Sequence, residues 1–168
     1  MIKQKCITIL MIIVSFVLQT TFLHSIELAD VVPNLLLILT VSYAYMRGRT
    51  SGLAIGFLCG ILLDMMYGSV IGVCTFGFIN IGYWSGYLQK IYFTDRFSLP
   101  LFLVATCDLL YGMYYYFTEF LIRGRLNFGF SLIHKIIPEM VYTTLVSIVI
   151  LHFLMWLEPK ISKKREEV

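Results

Sequence analysis

The chain has 168 residues, of which 59% are hydrophobic and 14% charged, and its formal net charge is +3. Its mean hydropathy is +0.84. Soluble domains are about half apolar and a quarter charged, so a soluble fold of this length could not bury so much apolar surface. The basic residues lie in short clusters between apolar runs, which argues against a nucleic-acid-binding surface and is typical of membrane topology signals.

Six apolar runs follow one another, and a helix needs about 20 such residues to cross a bilayer. They cover residues 6–24, 32–46, 50–67, 70–89, 98–121 and 133–157. The sequence therefore predicts an all-α polytopic membrane protein, a single domain over residues 1–168 with six transmembrane helices. We expect the first run to be a retained helix, because it is longer than a signal-peptide core and no small-residue cleavage site follows it.

The basic residues predict the orientation of these helices, because Lys and Arg collect on the cytoplasmic side. With both termini in the cytoplasm, three basic residues face outward, namely Arg123, Arg125 and Lys135. Ten face inward, namely Lys3, Lys5, Arg47, Arg49, Lys90, Arg96, Lys160, Lys163, Lys164 and Arg165. If Arg123 and Arg125 were cytoplasmic instead, one run would have to be re-entrant. Arg47 and Arg49 would form a short cytoplasmic turn, either as a topology signal alone or as a contact with lipid headgroups or a partner.

Glycine recurs every four residues in the third run, and an acid joins the series. Positions four apart share one ridge of a helix, where glycine lets another backbone approach closely. The series is Gly52, Gly56, Gly60, Asp64 and Gly68. We expect it to pack against another helix or to bind a partner protein. In the fourth run, Gly82 and Gly86 form a shorter pattern of the same kind.

Asp64 lies about 18 Å beyond Gly52 along the helix, in the outer half of the membrane. A charged aspartate at this depth costs on the order of a few kcal/mol, so its side chain should face protein or water. Three interpretations remain open. Asp64 caps the turn at residues 67–69, or it belongs to a packing or binding contact on the glycine face, or it transfers a proton or an ion.

A second polar stripe follows helical spacing in the fifth run, where Asp108, Tyr111, Tyr115 and Glu119 lie near one face. In the sixth run, Glu139 precedes Tyr142 and Thr143 on the same face. Three helices are therefore expected to present an acid to the interior of the bundle.

Enzyme chemistry is not indicated. The sequence contains no Gly-x-Ser-x-Gly elbow, no phosphate-binding loop and no His-Glu-x-x-His motif. The four cysteines form no Cys-x-x-Cys pair, and His134 and His152 are too far apart on one helix to share a metal. We expect no catalytic site, no metal and no cofactor.

An ordered set of short motifs carries a family resemblance: PNLLL at residues 33–37, YMRGR at 45–49, GFLCG at 56–60 and LLD at 62–64. Their order and spacing resemble the MreD family of bacterial rod shape-determining membrane proteins. The resemblance is densest over residues 33–88. It therefore gives no role to Asp108 or Glu139.

The resemblance implies a non-enzymatic component of the cell-elongation complex, which synthesises lateral peptidoglycan, in the bacterial inner membrane. Its expected partners are an MreC-like bitopic membrane protein and, indirectly, the actin-like MreB and the transglycosylase–transpeptidase pair. The fold of the family is also similar to substrate-binding subunits of energy-coupling-factor transporters. A small-ligand-binding subunit of a vitamin-type transporter is therefore the alternative function.

Overall fold

The computed structural model describes residues 2–22, 32–67, 71–91, 98–123 and 136–162, and these residues form six α-helices. The helices are α1 (Ile2–Val17, continued by a π-helical turn at Leu18–Phe22), α2 (Leu35–Arg47), α3 (Arg49–Tyr67), α4 (Val73–Ile91), α5 (Ser98–Arg123) and α6 (Ile137–Ser162). No strand occurs in these ranges. The prediction of an all-α fold with six helices is confirmed.

Local signals fix both ends of α2. The Asn34 side chain accepts a hydrogen bond from the Leu37 N–H at 3.2 Å, so α2 begins after Asn34 and not at the start of the apolar run. At the other end Gly48 adopts a φ of 86°, which glycine tolerates without steric cost. The Gly48 N–H donates to the Ala44 carbonyl at 2.9 Å. A single residue therefore separates α2 from α3.

Helix α2 lies at the centre of the fold and contacts all five other helices. Residues 35–45 are buried without interruption, which is typical of a helix enclosed on every side. Two of its buried hydroxyls donate within the helix, from Thr40 to the Leu36 carbonyl and from Ser42 to the Ile38 carbonyl. With 13 residues, α2 is about 20 Å long, shorter than a hydrocarbon core of about 30 Å.

Two helix pairs surround α2. The most extensive helix–helix contact in the described structure joins α3 to α4, and α5 pairs with α6. The π-helical turn after α1 also touches α2, since the Gln19 side chain accepts a hydrogen bond from the Leu36 N–H at 3.2 Å. The candidate site residues therefore lie on helices whose positions are fixed by several neighbours.

Large apolar side chains are exposed on every helix except α2. Examples are Leu10, Met65, Phe76, Phe102 and Val149, with Met65 76% exposed. So much apolar surface on all sides fits a lipid solvent better than water. By length and composition, two helices in the described ranges pass as membrane spans, Arg49–Met66 in α3 and Ile137–Trp156 in α6.

Candidate functional site

The glycines of α3 lie directly against the backbone of α4. A Cβ atom added to Gly56 would collide with the Phe78 carbonyl, and one added to Gly60 would collide with the Thr75 Cα. Because the atoms in the way are backbone, neither helix could yield without moving as a whole. The glycine ridge is therefore occupied by a helix of the same chain.

Helix α4 presents a complementary pair of glycines. A Cβ on Gly82 would meet the Gly52 carbonyl, and one on Gly86 would lie 2.7 Å from the carbonyl carbon of Gly48 and 2.6 Å from the Arg49 nitrogen. The two patterns found in the sequence thus face each other, and the backbones touch from Gly48 onward. Gly68, the last member of the predicted series, lies outside the described residues.

Asp64 ends this contact by accepting four hydrogen bonds from the start of α4, and its side chain is buried. Oδ2 accepts from the Gly72 N–H and from the Thr75 N–H, both at 2.9 Å. The Thr75 hydroxyl donates to the same oxygen at 2.5 Å, and the Cys74 N–H donates to Oδ1 at 2.9 Å.

Three of these donors are backbone N–H groups at the helix start, where N–H groups lack intrahelical partners. A carboxylate also interacts favourably with the positive end of the helix dipole. Asp64 therefore acts as a cap for α4 across the α3–α4 connection. Gly72 supports the geometry with a φ of 111°, a conformation that side chains rarely adopt.

Tyrosines of α5 pack on the first turns of α4. The Tyr114 hydroxyl donates to the Val73 carbonyl at 3.1 Å. The Tyr111 ring meets Phe78 edge-on, with 5.1 Å between ring centroids, and stacks on Tyr115 at 6.1 Å. Gly77 makes room for them, since a Cβ there would meet the rings of Tyr111 and Tyr114. Tyr111 and Tyr115 therefore contribute aromatic packing between α4 and α5.

Asp108 has a different environment, because neither of its carboxyl oxygens has a hydrogen-bond partner among the described residues. Its side chain is only 4% exposed. Thr143 of α6 is a polar neighbour of Asp108, and its hydroxyl oxygen accepts a hydrogen bond from the Asn34 N–H at 3.2 Å. Asp108 is thus an unpaired acid near the junction of α2, α5 and α6.

Two further acids were predicted to face the interior, Glu119 and Glu139. Glu139 lies in the first turn of α6 and is partly buried, whereas the Glu119 side chain lies outside those described. Within the described structure no hydrogen bond or ion pair connects Asp64 with Asp108. Asp64 and Asp108 therefore do not form one common site.

Arg49 is held by two aromatic rings of α4, a relationship that the sequence analysis missed. Its guanidinium carbon lies 4.5 Å from the ring centroid of Tyr87 and 5.3 Å from that of Tyr83. Arg47 instead covers Tyr43 of its own helix at 5.1 Å. The four-residue spacing of Tyr83 and Tyr87 was the only available signal, and it does not identify an arginine 34 positions earlier.

The described part of the chain offers no group of three or more His, Cys, Asp or Glu side chains that could hold a metal. Cys59, Cys74 and Cys107 are buried free thiols, whereas Cys6 is exposed. Within this part, the polar side chains so far described mainly bond to the chain's own backbone.

This arrangement defines an all-helical membrane protein whose polar groups hold its own helices together. The family profile described as rod shape-determining protein MreD matches residues 1–160. The chain belongs to this family, which confirms the resemblance and indicates a membrane protein with a role in determining rod shape. Comparison with curated proteins and with solved structures found no match.

Proposed function

We propose that the chain is a non-enzymatic component of the cell-elongation complex in the bacterial inner membrane. In this function its six helices cross the membrane with both termini in the cytoplasm. It binds an MreC-like bitopic protein and, through that assembly, the actin-like MreB and the transglycosylase–transpeptidase pair. Family membership supports the shape-determining role, and the partners and topology are the further steps of the proposal.

The observation that supports a scaffold best is the use of Asp64. A binding or catalytic site directs a few polar groups at its ligand. The Asp64 carboxylate instead accepts four hydrogen bonds from the start of α4. The α4 backbone occupies the space beside Gly52, Gly56 and Gly60. We therefore assign these residues to helix packing within the chain and expect the partner to bind elsewhere.

Compared with Asp64 and the glycines of α3, the surface of α1 is the better candidate for partner binding. The main contact of α1 with another helix is with α2, and it leaves Leu10, Val14 and Val17 about half exposed or more. In a membrane, helices associate by packing such faces together. Photo-crosslinking side chains introduced at Leu10 and Val14 should capture the MreC-like partner, whereas one at the enclosed Thr40 should not.

Depletion of the protein in its host tests the function itself. Loss of rod shape, together with copurification of the MreC-like protein from membranes, is the expected result. Cells that remain rod-shaped but lose uptake of a vitamin would contradict the proposal and support the transporter alternative.

A further inference from the structure

We propose that Arg49, together with Tyr83 and Tyr87, binds the phosphate of an anionic phospholipid. This inference does not depend on the shape-determining function, because it rests on the geometry at the α2–α3 junction. The site would take a phosphodiester monoanion carried by a lipid, such as that of phosphatidylglycerol.

The guanidinium is held in position before any ligand arrives. The Arg49 backbone contacts α4 at Gly86, where no side chain separates the two helices. From this point the side chain extends to the Tyr83 and Tyr87 rings, which lie one turn apart on α4. A cation held against aromatic faces loses little freedom on binding an anion, which favours affinity.

The guanidinium also retains an unused donor. Its Nε is buried and has no hydrogen-bond partner among the described residues. Buried donors are nearly always satisfied in native proteins. The faces of the two tyrosine rings, which contact the guanidinium, offer no oxygen atom as an acceptor. A phosphate oxygen is a suitable acceptor, since the planar fork of arginine binds phosphate with two parallel hydrogen bonds.

The site lies where a lipid headgroup would be found. Arg49 is the first residue of α3, and Tyr83 and Tyr87 lie towards the end of α4, so several helix ends meet here. Trp84 is 58% exposed and contacts both tyrosines edge-on, with centroids 6.1 and 6.2 Å away. Trp and Tyr collect at the membrane–water interface, so this aromatic group places the guanidinium at headgroup level.

Trp84 provides the readout. The chain has two tryptophans, so Trp156→Phe leaves Trp84 as the only one, and Trp156→Tyr is available if that variant fails to fold. The full-length protein is reconstituted in phosphatidylcholine bilayers containing phosphatidylglycerol. Quenching of Trp84 is then compared when either lipid carries brominated acyl chains near the headgroup.

Brominated phosphatidylglycerol should quench Trp84 severalfold more effectively at equal mole fraction. Arg49→Gln should abolish this preference and Arg49→Lys should reduce it, because an ammonium keeps the charge without the planar fork. Arg47→Gln is the matched control and should retain the preference. Thermal unfolding of each variant separates loss of binding from loss of fold.

Equal quenching by the two lipids in the unsubstituted protein would overturn the proposal. Equal losses in Arg47→Gln and Arg49→Gln would overturn it as well, since they would indicate general surface charge. If millimolar inorganic phosphate removes the preference, the site binds free phosphate and the assignment to a lipid is wrong.

Discussion

Asp64 and Thr75 are joined by two hydrogen bonds, because one carboxylate oxygen accepts both the backbone N–H and the side-chain hydroxyl of the threonine. One residue near the end of α3 thereby fixes where α4 begins. The same pair closes the glycine contact, since Gly60 lies against the Thr75 Cα. Close backbone approach and helix capping therefore depend on each other at this end of the helix pair.

Replacing Asp64 should destabilise the fold in proportion to the acceptors removed. Asp64→Leu leaves buried N–H groups without partners, and we expect a loss of about 2–5 kcal/mol in the free energy of unfolding. Asp64→Asn keeps one carbonyl acceptor and should lose less. Thermal unfolding of the purified variants in detergent measures which of the two is less stable.

The control for Asp64 is Asn80→Leu, which removes an exposed side chain that bonds only to the Phe76 carbonyl of its own helix. This change should leave the midpoint nearly unaltered. An Asp64→Leu variant as stable as Asn80→Leu would show that the α4 cap has no energetic importance.

The glycine contact predicts that a single methyl group is harmful at Gly56. In Gly56→Ala the new Cβ meets the Phe78 carbonyl, so the helices must separate, and we expect a cost of about 1–3 kcal/mol. Gly77→Ala is the matched control and should lose less, because its Cβ would lie 3.1 and 3.2 Å from ring atoms of Tyr114 and Tyr111, which are side-chain atoms and not backbone. Similar melting temperatures for the two variants would contradict backbone-limited packing.

Thr143 should stabilise the fold through a contact outside its own helix. Thr143→Val preserves shape but leaves the Asn34 N–H without its acceptor, which costs about 1–3 kcal/mol when the group is buried. Thr144→Val is the matched control, because the Thr144 hydroxyl donates only to the Met140 carbonyl one turn earlier. In chemical unfolding, the free energy of unfolding of Thr143→Val should be clearly lower than that of the wild type, and that of Thr144→Val should be close to it.

The unpaired acid Asp108 predicts a change of the opposite sign. Asp108→Val removes two buried oxygens that have no partner in the described structure, so stability should be unchanged or rise by about 1–3 kcal/mol. The stability of Asp108→Asn should lie between those of the wild type and Asp108→Val, because its amide is also polar. A marked loss of stability in Asp108→Val would contradict this prediction and mean that the carboxyl group has a structural partner. If the variant is stable, cell-shape complementation with it measures the functional importance of the carboxyl group.

The sequence could predict that Asp64 continues the ridge of Gly52, Gly56 and Gly60, because four-residue spacing on a helix determines which positions share a face. The sequence could not identify which helix packs against that face. The contact depends on how the chain turns between α3 and α4, and this turn has no periodicity that fixes its geometry. The pattern of Gly82 and Gly86 was visible, but only the structure shows that it faces Gly52 and Gly48.

The enclosure of α2 was not predictable for a different reason. A helix surrounded by lipid and a helix surrounded by other helices both require apolar residues on every side, so residues 35–45 fit either environment. The contact of Arg49 with Tyr83 and Tyr87 was missed because cation–π pairs depend on tertiary approach and leave no pattern in the chain.

The hydrogen bond between Asn34 and Thr143 spans 109 positions of the chain. During synthesis, the start of α2 is made long before the helix that supplies its acceptor. Helix α6 therefore completes the polar bonding at the start of α2, and a chain interrupted before α6 would leave the Asn34 N–H without this acceptor. In this way the order of translation makes the integrity of the core depend on the arrival of its final segment.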